Sequence, residues 1–240
     1  VYGSADFDPG AVSDAGLPVT YTSSDESVAT IVNGKVHIKK AGITHITALQ
    51  PGDDTYLAAT PVQQQLTITP KPVSLTLKSV PAISKVYDGA LAASLISDNY
   101  SLDGIVNDDE VTASGTAAYA EANVASEITI TVDELVLSGA EKDNYTLITT
   151  SATVSGAITP KSVMPVANAA PAIIKVYDGS NTAAIQSGNL SLTGVLGNDV
   201  VSAAGTAVYE DAGAGAGKVV SLTNIVLSGA ASGNYKLSSN

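Results

Sequence analysis

Cysteine and tryptophan are absent from this chain of 240 residues, and phenylalanine and methionine occur once each, as Phe7 and Met164. Without cysteine there can be no disulfide, no thiol catalysis and no zinc site with cysteine ligands. Both histidines, His37 and His45, precede residue 50, so the rest of the chain has no imidazole to act as a general base. The sequence therefore predicts a protein with no catalytic residues.

Charged residues are also scarce. They make up 14% of the chain, and the formal net charge is −12. An acidic surface repels the phosphates of nucleic acids and of anionic lipids, which argues against both as partners. No apolar run is long enough to span a membrane. A cysteine-free, acidic, threonine-rich composition fits a secreted bacterial protein, and we expect an extracellular location.

Small and β-branched residues are abundant in the chain. Hydrophobic residues make up 45% of it and are mostly Ala, Val, Ile and Leu. With abundant Thr, Ser and Gly, they favour short strands and tight turns over helices, which draw on Glu, Lys, Arg and Gln. No segment longer than one turn has a 3.6-residue period. The composition therefore predicts an all-β fold.

An internal repeat with a constant offset of 90 residues organises the chain. Residues 71–150 align without a gap with residues 161–240, and 32 of the 80 pairs are identical. The most similar stretches are PAISKVYDG and PAIIKVYDG, SGTAAY and AGTAVY, and LVLSGAEKDNYTL and IVLSGAASGNYKL. Because an ITPK motif closes the leading segment and closes the first repeat, we expect three domains: a leading segment (1–70), a first repeat (71–160) and a second repeat (161–240).

The leading segment contains five runs typical of β-strands. Asn33-Gly34 between the second and third runs predicts a tight hairpin. A further hairpin centred on Ala41 would place His37 opposite His45 on an outward face. Such a pair could bind a transition metal, but two solvent-facing side chains are the simpler interpretation, and we predict no metal site. The five runs are LPVTYTS (17–23), VATIV (28–32), KVHIK (35–39), ITHITAL (43–49) and VQQQLTIT (62–69).

The repeats predict the same kind of fold. Tyr145 lies two residues before Leu147, and Tyr235 lies two residues before Leu237. In immunoglobulin-like sandwiches a tyrosine at this place begins the penultimate strand, and its hydroxyl bonds to the preceding turn. We therefore expect the penultimate strand at 144–150, the last strand at 153–159, and three tandem immunoglobulin-like antiparallel β-sandwich modules overall. Six tyrosines keep the 90-residue phase, which favours core or corner positions for them: 87, 119, 145, 177, 209 and 235.

The motifs KVYDG, GTAxY and LSGAxxxNYxL, closing on ITPK, resemble the YDG-type repeats of very large bacterial surface proteins. The leading segment is similar to the MBG and Big-type immunoglobulin-like modules that accompany them. The resemblance spans the whole chain and implies a tandem adhesin stalk used in attachment, biofilm formation or gliding. It brings no catalytic residues. Its marked positions are structural, at a strand-to-turn junction where Gly takes a positive φ and Asp caps the turn: Tyr87, Asp88, Gly89, Tyr177, Asp178 and Gly179.

Other chemistry has weaker support. The acidic stretches NDDE (107–110) and GDD (52–54) could bind Ca²⁺, but the second repeat keeps only Asp199, which favours solvated turns. The glycine-rich stretch EDAGAGAGK (210–218) has no Ser or Thr after its lysine, so it is not a phosphate-binding loop. We expect no cofactor. An internal isopeptide bond could join Lys85 to Asn144, and Lys175 to Asn234, with Asp88 and Asp178 as the neighbouring acids, but a recurrent lysine in KVYDG is more often a surface or rim residue, and we favour that interpretation.

The leading hypothesis for function is a stalk in which each sandwich buries its own core and short linkers hold neighbouring modules in a fixed orientation. The partners expected are the neighbouring modules, and a surface glycan or protein recognised through other regions. Alternatives are a glycan- or protein-binding module, and a subunit that exchanges strands. The second repeat has no counterpart of SATVSGAITP (151–160), so we expect either a longer repeat protein or a strand supplied by a neighbour.

Overall fold

The structure, a computed structural model, describes residues 1–106, 108–186 and 188–238. These residues form β-strands and three single-turn 3-10 helices but no α-helix, which confirms the all-β prediction. No helix in this part of the chain could cross a membrane. The 3-10 helices are Ser97–Asn99, Lys142–Asn144 and Ser232–Asn234. The strands are β1 Thr20–Ser23, β2 Ala29–Val32, β3 Lys35–Ile38, β4 Gly42–Leu49, β5 Val62–Ile68, β6 Lys71–Leu77, β7 Ser84–Val86, β8 Tyr100–Asp103, β9 Thr112–Tyr119, β10 Ala125–Ser138, β11 Tyr145–Leu147, β12 Ala152–Thr159, β13 Lys161–Ala167, β14 Thr182–Ala183, β15 Leu190–Thr193, β16 Ser202–Tyr209, β17 Val220–Ser228 and β18 Tyr235–Leu237.

Two compact units divide the chain, and we describe each by itself. Unit 1 comprises Val1–Pro81, Leu95–Thr116 and Thr131–Val154. Unit 2 comprises Ala82–Ser94, Ala117–Ile130 and the chain from Ser155 onwards. The chain passes from one unit to the other inside β9, β10 and β12. The domain boundaries near residues 70 and 160 stay predictions.

The leading segment forms two small sheets in unit 1, one with the order β1-β4-β5 and one of β2 with β3. All five predicted strands are present. Asn33 and Gly34 have φ values of 50° and 78°, as a type I′ turn requires, and β2 and β3 pair antiparallel on either side of them. The hairpin prediction at Asn33-Gly34 is therefore confirmed.

The second predicted hairpin, with His37 opposite His45, is wrong. His37 lies opposite Thr30 of β2, and His45 lies opposite Gln65 of β5. A strand has two edges, and both edges of β4 are taken, one by β1 and the other by β5, so β3 cannot pair with it. Nδ1 of His37 lies 2.8 Å from Oδ1 of Asp6 instead.

The expectation of purely antiparallel sheets is also wrong. β6 pairs antiparallel with β8 but parallel with β11, and the equivalent β13 pairs antiparallel with β15 but parallel with β18. β12 and β7 form a third parallel pair. Parallel neighbours need long connections, and the strands of each such pair lie far apart in the sequence. The penultimate and last strands of the first repeat are β11 and β12, as predicted.

The core of unit 1 combines side chains from two segments of the sequence. Val73 and Tyr145 of the first repeat pack in one buried cluster with residues of the leading segment. The expectation that each module buries its own core is therefore wrong for this pair. The leading-segment members of the cluster are Tyr2, Val28, Ala29, Val36, Ile46 and Ile68.

In unit 2 the second repeat forms two three-stranded sheets, with the orders β15-β13-β18 and β14-β16-β17. Its pairing of β16 with β17 shifts register between Ala204 and Thr206, next to Asn224, which has a φ of 51°. Glu134, 90 residues earlier in β10, has a φ of 52°. The repeated sequence thus reproduces even a local irregularity of the backbone.

Candidate functional site: two tyrosine–aspartate–tyrosine junctions

The YDG sequence of each repeat forms a tight turn. Oδ1 of Asp88 accepts the backbone N–H of Ala90 at 2.9 Å and the ammonium of Lys85 at 2.7 Å, and Gly89 has a φ of 74°. A short acidic side chain bonded two residues ahead closes such a turn, and glycine takes the positive φ without strain. The hydrogen bond from Lys85 is the main cause of the lowered pKa of Asp88.

The second repeat builds the same turn. Oδ1 of Asp178 accepts the N–H of Ser180 at 2.9 Å and the ammonium of Lys175 at 2.8 Å, and Gly179 has a φ of 76°. The Lys175 hydrogen bond, followed by that from the Ser180 backbone, lowers the pKa of Asp178 to about 2.

The lysine before each turn is fully engaged. Besides Asp88, the ammonium of Lys85 donates to the carbonyls of Ala90 at 2.6 Å and Ala92 at 3.0 Å. It also lies 5.4 Å from the ring centroid of Tyr119. Three acceptors and a ring face satisfy an ammonium. The amide of Asn144, which an isopeptide bond would have joined to Lys85, contacts Ala41 instead, as described below.

The tyrosine of the turn is anchored through its backbone by the ITPK motif. The N–H of Tyr87 donates to the carbonyl of Thr159 at 2.9 Å. In the leading segment the N–H of Tyr2, from the related VYG sequence, donates to the carbonyl of Thr69 at the same distance. Thr69 and Thr159 are the threonines of the two ITPK motifs, 90 residues apart. In both places the ITPK motif and the tyrosine motif (VYG or VYDG), which were found separately in the sequence, are joined by the same backbone hydrogen bond.

The first junction lies in unit 1 and is centred on Asp109. Its Oδ2 accepts the hydroxyl of Tyr2 at 2.8 Å and the hydroxyl of Tyr145 at 2.6 Å. The two rings meet edge to face, with centroids 5.5 Å apart at 83°. The Tyr145 hydroxyl also accepts the N–H of Val106 at 3.0 Å. Tyr2 and Tyr145 are both 5% exposed, so the carboxylate satisfies two hydroxyls that have little access to water.

The second junction repeats this arrangement in unit 2, around Asp199. Its Oδ2 accepts the hydroxyl of Tyr87 at 3.0 Å and that of Tyr235 at 2.5 Å. The rings are again 5.5 Å apart, at 78°, and the N–H of Leu196 donates to the Tyr235 hydroxyl at 3.0 Å. Each junction takes one tyrosine from a segment and the aspartate and second tyrosine from the repeat that follows it.

Burial and the shared carboxylate act together on the phenols. The pKa of Tyr145 is raised to about 12, chiefly by burial and then by its hydrogen bond to Asp109. The pKa values of Tyr87 and Tyr235 are also raised, by burial first and by Asp199 second. The protonated hydroxyls that the junction needs are therefore favoured at neutral pH.

An asparagine makes a further contact at each junction. Oδ1 of Asn144 accepts the N–H of Ala41 in the leading segment at 2.9 Å. Oδ1 of Asn234 accepts the N–H of Val124 in the first repeat at 2.9 Å, and its Nδ2 donates to Oδ1 of Asn123 at 3.0 Å. Both asparagines are 7% exposed, and each belongs to the 3-10 helix that precedes the junction tyrosine.

Two sequence predictions need correction here. The hydroxyl of Tyr145 does not bond to the preceding turn at 138–143 but to Val106 and Asp109, 39 and 36 residues upstream. Asp109, which was interpreted as part of a solvated acidic turn, is the acceptor at the centre of the first junction. Asn107 of the same stretch lies outside the described residues. Within this stretch Asp109 is the one carboxylate that the second repeat retains, as Asp199, so the repeat alignment carried a signal for this role.

The predicted structural residues do not all lie in equivalent surroundings. Tyr87 is 6% exposed, whereas its counterpart Tyr177 is 67% exposed, away from the core or corner position expected for it. Tyr119 is buried and Tyr209 is partly buried. In the described part of the chain no cluster of three or more potential metal ligands occurs.

The chain matches a known protein family. The family model described as the YDG domain matches twice, over residues 69–154 and 159–240. Comparisons with curated proteins and with solved structures give no significant match. The two matched stretches together cover more than half of the chain and coincide closely with the two repeats.

Proposed function

Because the chain belongs to the YDG domain family, we propose that it is a structural stalk segment of a large repetitive bacterial cell-surface adhesin. In this proposal the leading segment is an MBG or Big-type module, all three modules are immunoglobulin-like, and the protein is extracellular and not an enzyme. The observation that carries the proposal is the junction itself, which occurs twice with the same residue types in the same roles; its aspartate and second tyrosine recur 90 residues apart.

The junctions support a mechanical role through their chemistry. At each one a half-buried carboxylate holds two hydroxyls from different segments, the two rings pack together, and an asparagine bonds to the preceding segment. Hydrogen bonds to an ionised group contribute about 1.5–3 kcal/mol each, more than typical neutral ones. Several such contacts at one junction resist bending better than a short linker alone would.

The stiffness of a junction can be measured by NMR relaxation. We expect backbone amides of the leading segment and of the first-repeat part of unit 1 to report one common rotational correlation time. Asp109→Ala should separate the two values, because it removes the shared acceptor. Asp103→Ala, on the exposed edge of β8, is the matched control and should leave them equal. Different correlation times in the unaltered chain would contradict the proposal.

The proposed location needs a separate test. Antibodies raised against the chain should label intact cells of the producing bacterium, and brief treatment of those cells with an external protease should remove the label. Labelling that requires lysis would contradict a surface location. This outcome would leave the junction measurement unaffected, so the two parts of the proposal fail independently.

A binding role is the second candidate, favoured by one surface pocket in unit 1. It has a volume of about 460 Å³ and includes Tyr56, Leu57 and Val12, which are 52%, 95% and 88% exposed. Exposed aromatic and aliphatic side chains beside a pocket are typical of glycan or protein recognition. Binding on a glycan array that is lost in Tyr56→Ala would favour this function over the stalk.

A further inference from the structure

Each junction has two sides. The donor side belongs to the segment that comes first in the chain, and it supplies a tyrosine hydroxyl and a backbone N–H. The other side, which we call the receiver surface, belongs to the repeat that follows and consists of an aspartate, an asparagine and a tyrosine. One kind of receiver surface therefore meets two different donors, the leading segment in unit 1 and the first repeat in unit 2. The receiver residues are Asp109, Asn144 and Tyr145 in the first repeat, and Asp199, Asn234 and Tyr235 in the second.

The two donors differ in sequence at the tyrosine that they supply. Tyr2 is followed directly by glycine, in VYGS, whereas Tyr87 is followed by aspartate and then glycine, in VYDG. The turns differ accordingly, because Gly3 has a φ of 77° next to Tyr2, while the side chain of Asp88 closes the turn after Tyr87. Both tyrosines nevertheless donate their backbone N–H to the threonine carbonyl of an ITPK motif. The donors therefore share the placement of the tyrosine and not the turn that follows it.

The backbone N–H that each donor supplies occupies one structural position. Asn144 accepts it from Ala41 and Asn234 accepts it from Val124, both at 2.9 Å, and these two donors do not follow the 90-residue phase. Ala41 lies one residue before β4, and Val124 lies one residue before β10. β4 lies between β1 and β5, and β10 lies between β9 and β12, so each is an inner strand of its sheet. Every residue except proline has such an N–H, so this contact depends on the position of the strand and not on a side chain.

The apolar side chains beside the receiver aspartate are of one kind in both repeats. Ile105 and Val106 of the first repeat pack against the buried cluster that contains Tyr2. Their counterparts 90 residues later are Val195 and Leu196. One position loses a methylene and the next gains one, so the summed volume of the pair is kept. Apolar exchanges that conserve volume are the ones that packed surfaces tolerate best.

We propose that the receiver surface of a YDG repeat docks any segment that offers these two groups together, a tyrosine hydroxyl and the N–H before an inner strand. The leading segment and a YDG repeat are then interchangeable partners of the same surface. The ring geometry supports this, because the centroids of the two tyrosines are 5.5 Å apart with either donor. The inference rests on the proposed stalk function, since it treats the segments as successive modules of an array.

The test uses the full chain with a second copy of residues 71–160 inserted after Pro160. Both joins then read ITPK, as the joins of the unaltered chain do. The insertion keeps every existing pair of donor and receiver and adds one new pair. In the new pair Tyr87 of the original first repeat meets Asp109 of the inserted copy, a receiver that holds the leading segment in the unaltered chain.

Brief nitration with tetranitromethane shows whether the new pair forms, because the insertion chain contains Tyr87 twice. A docked Tyr87 is 6% exposed and bonded to an aspartate, whereas Tyr177 is 67% exposed. We expect both copies of Tyr87 to react slowly in comparison with Tyr177, so peptide mapping should find no fast fraction at Tyr87. Asp109→Ala in the inserted copy alone removes the new acceptor and should make half of the Tyr87 react faster.

The backbone contact is tested in the unaltered chain. Asn234→Ala removes the acceptor of the Val124 N–H and should speed the nitration of Tyr87. Glu121→Ala is the matched control, an exposed residue of the turn that leads to β10, and it should leave the rate unchanged. If Asn234→Ala simply unfolds the second repeat, the insertion chain still gives the decisive comparison, since its fast fraction at Tyr87 is either none or half.

Two results would overturn the proposal. A fast fraction of half at Tyr87 in the insertion chain would mean that a receiver surface accepts only the donor it already has. Equal nitration rates in Asn234→Ala and Glu121→Ala would mean that the backbone N–H takes no part in recognition. Neither result affects the proposed stalk function, which depends on the correlation times of unit 1 in the unaltered chain, so the two proposals fail separately.

Discussion

Asp109 accepts a hydrogen bond from the hydroxyl of Tyr2, a residue 107 positions earlier in the chain, at 2.8 Å. The contact joins the leading segment to the first repeat through a carboxylate that Tyr145 also uses. The stability of unit 1 should therefore depend on one side chain outside the apolar core.

Asp109→Ala should lower the free energy of unfolding of unit 1 by about 2–4 kcal/mol, because it leaves two buried phenol hydroxyls without their acceptor. Urea unfolding followed by tyrosine fluorescence measures this change. The exposed Asp103→Ala control should stay within about 0.5 kcal/mol of the unaltered chain. A loss for Asp109→Ala as small as that of the control would show that the junction carries no stability.

The raised pKa of Tyr145, about 12 against 10.0 for an unperturbed tyrosine, predicts a loss of stability in alkali. Between these values the unfolded state has lost a proton that the folded state keeps, so the free energy of unfolding falls as pH rises. Below pH 10 the contribution is fully present. Urea unfolding at several pH values should give a shallower decline for Tyr145→Phe, and identical declines would contradict this interpretation.

Gly156→Ala should destabilise the first repeat by about 1–3 kcal/mol, because the added Cβ meets Ile130 and the Ile83 carbonyl at distances shorter than contact. Gly233→Ala is the matched control, since a Cβ at that position has no atom within 4 Å and its φ is not in the left-handed region. Thermal unfolding by circular dichroism compares the two. Equal melting temperatures would mean that β12 moves away without cost.

Tyr177 should react with tetranitromethane much faster than Tyr87, although both stand in the same KVYDG sequence. Tyr177 is 67% exposed, whereas Tyr87 is 6% exposed and bonded to Asp199. Peptide mapping by mass spectrometry after brief nitration measures both sites in one sample, with exposed Tyr56 as the positive control. Comparable rates at the two KVYDG tyrosines would contradict the second junction.

The sequence was sufficient for features that depend on neighbouring residues. Alternation of apolar and polar side chains located the strands of the leading segment, and Asn33-Gly34 located a hairpin whose positive φ values few other residues adopt. The 90-residue phase likewise located β11 and β12. In each case the physical cause acts within a few positions of the chain, so the pattern is visible without the fold.

Features that depend on distant pairing could not be read in the same way. The edges of β4 are taken by β1 and β5, and no local signal in β3 indicates that it is excluded. Asp109 resembles any solvated acidic residue until its two tyrosines, 36 and 107 positions away, are placed beside it. The only sequence signal for its role is that the second repeat keeps this carboxylate as Asp199. That signal does not show which tyrosines bind it.

The two tyrosines of a junction come from different segments, and this gives the contact a direction. A repeat offers the tyrosine of its YDG turn on one side and an aspartate with its own second tyrosine on the other, so the two contributing surfaces are unlike. Unlike surfaces join head to tail and cannot form a two-fold symmetric pair. Any assembly that used this contact between separate chains would be polar, and it would grow by adding a tyrosine end to an aspartate end.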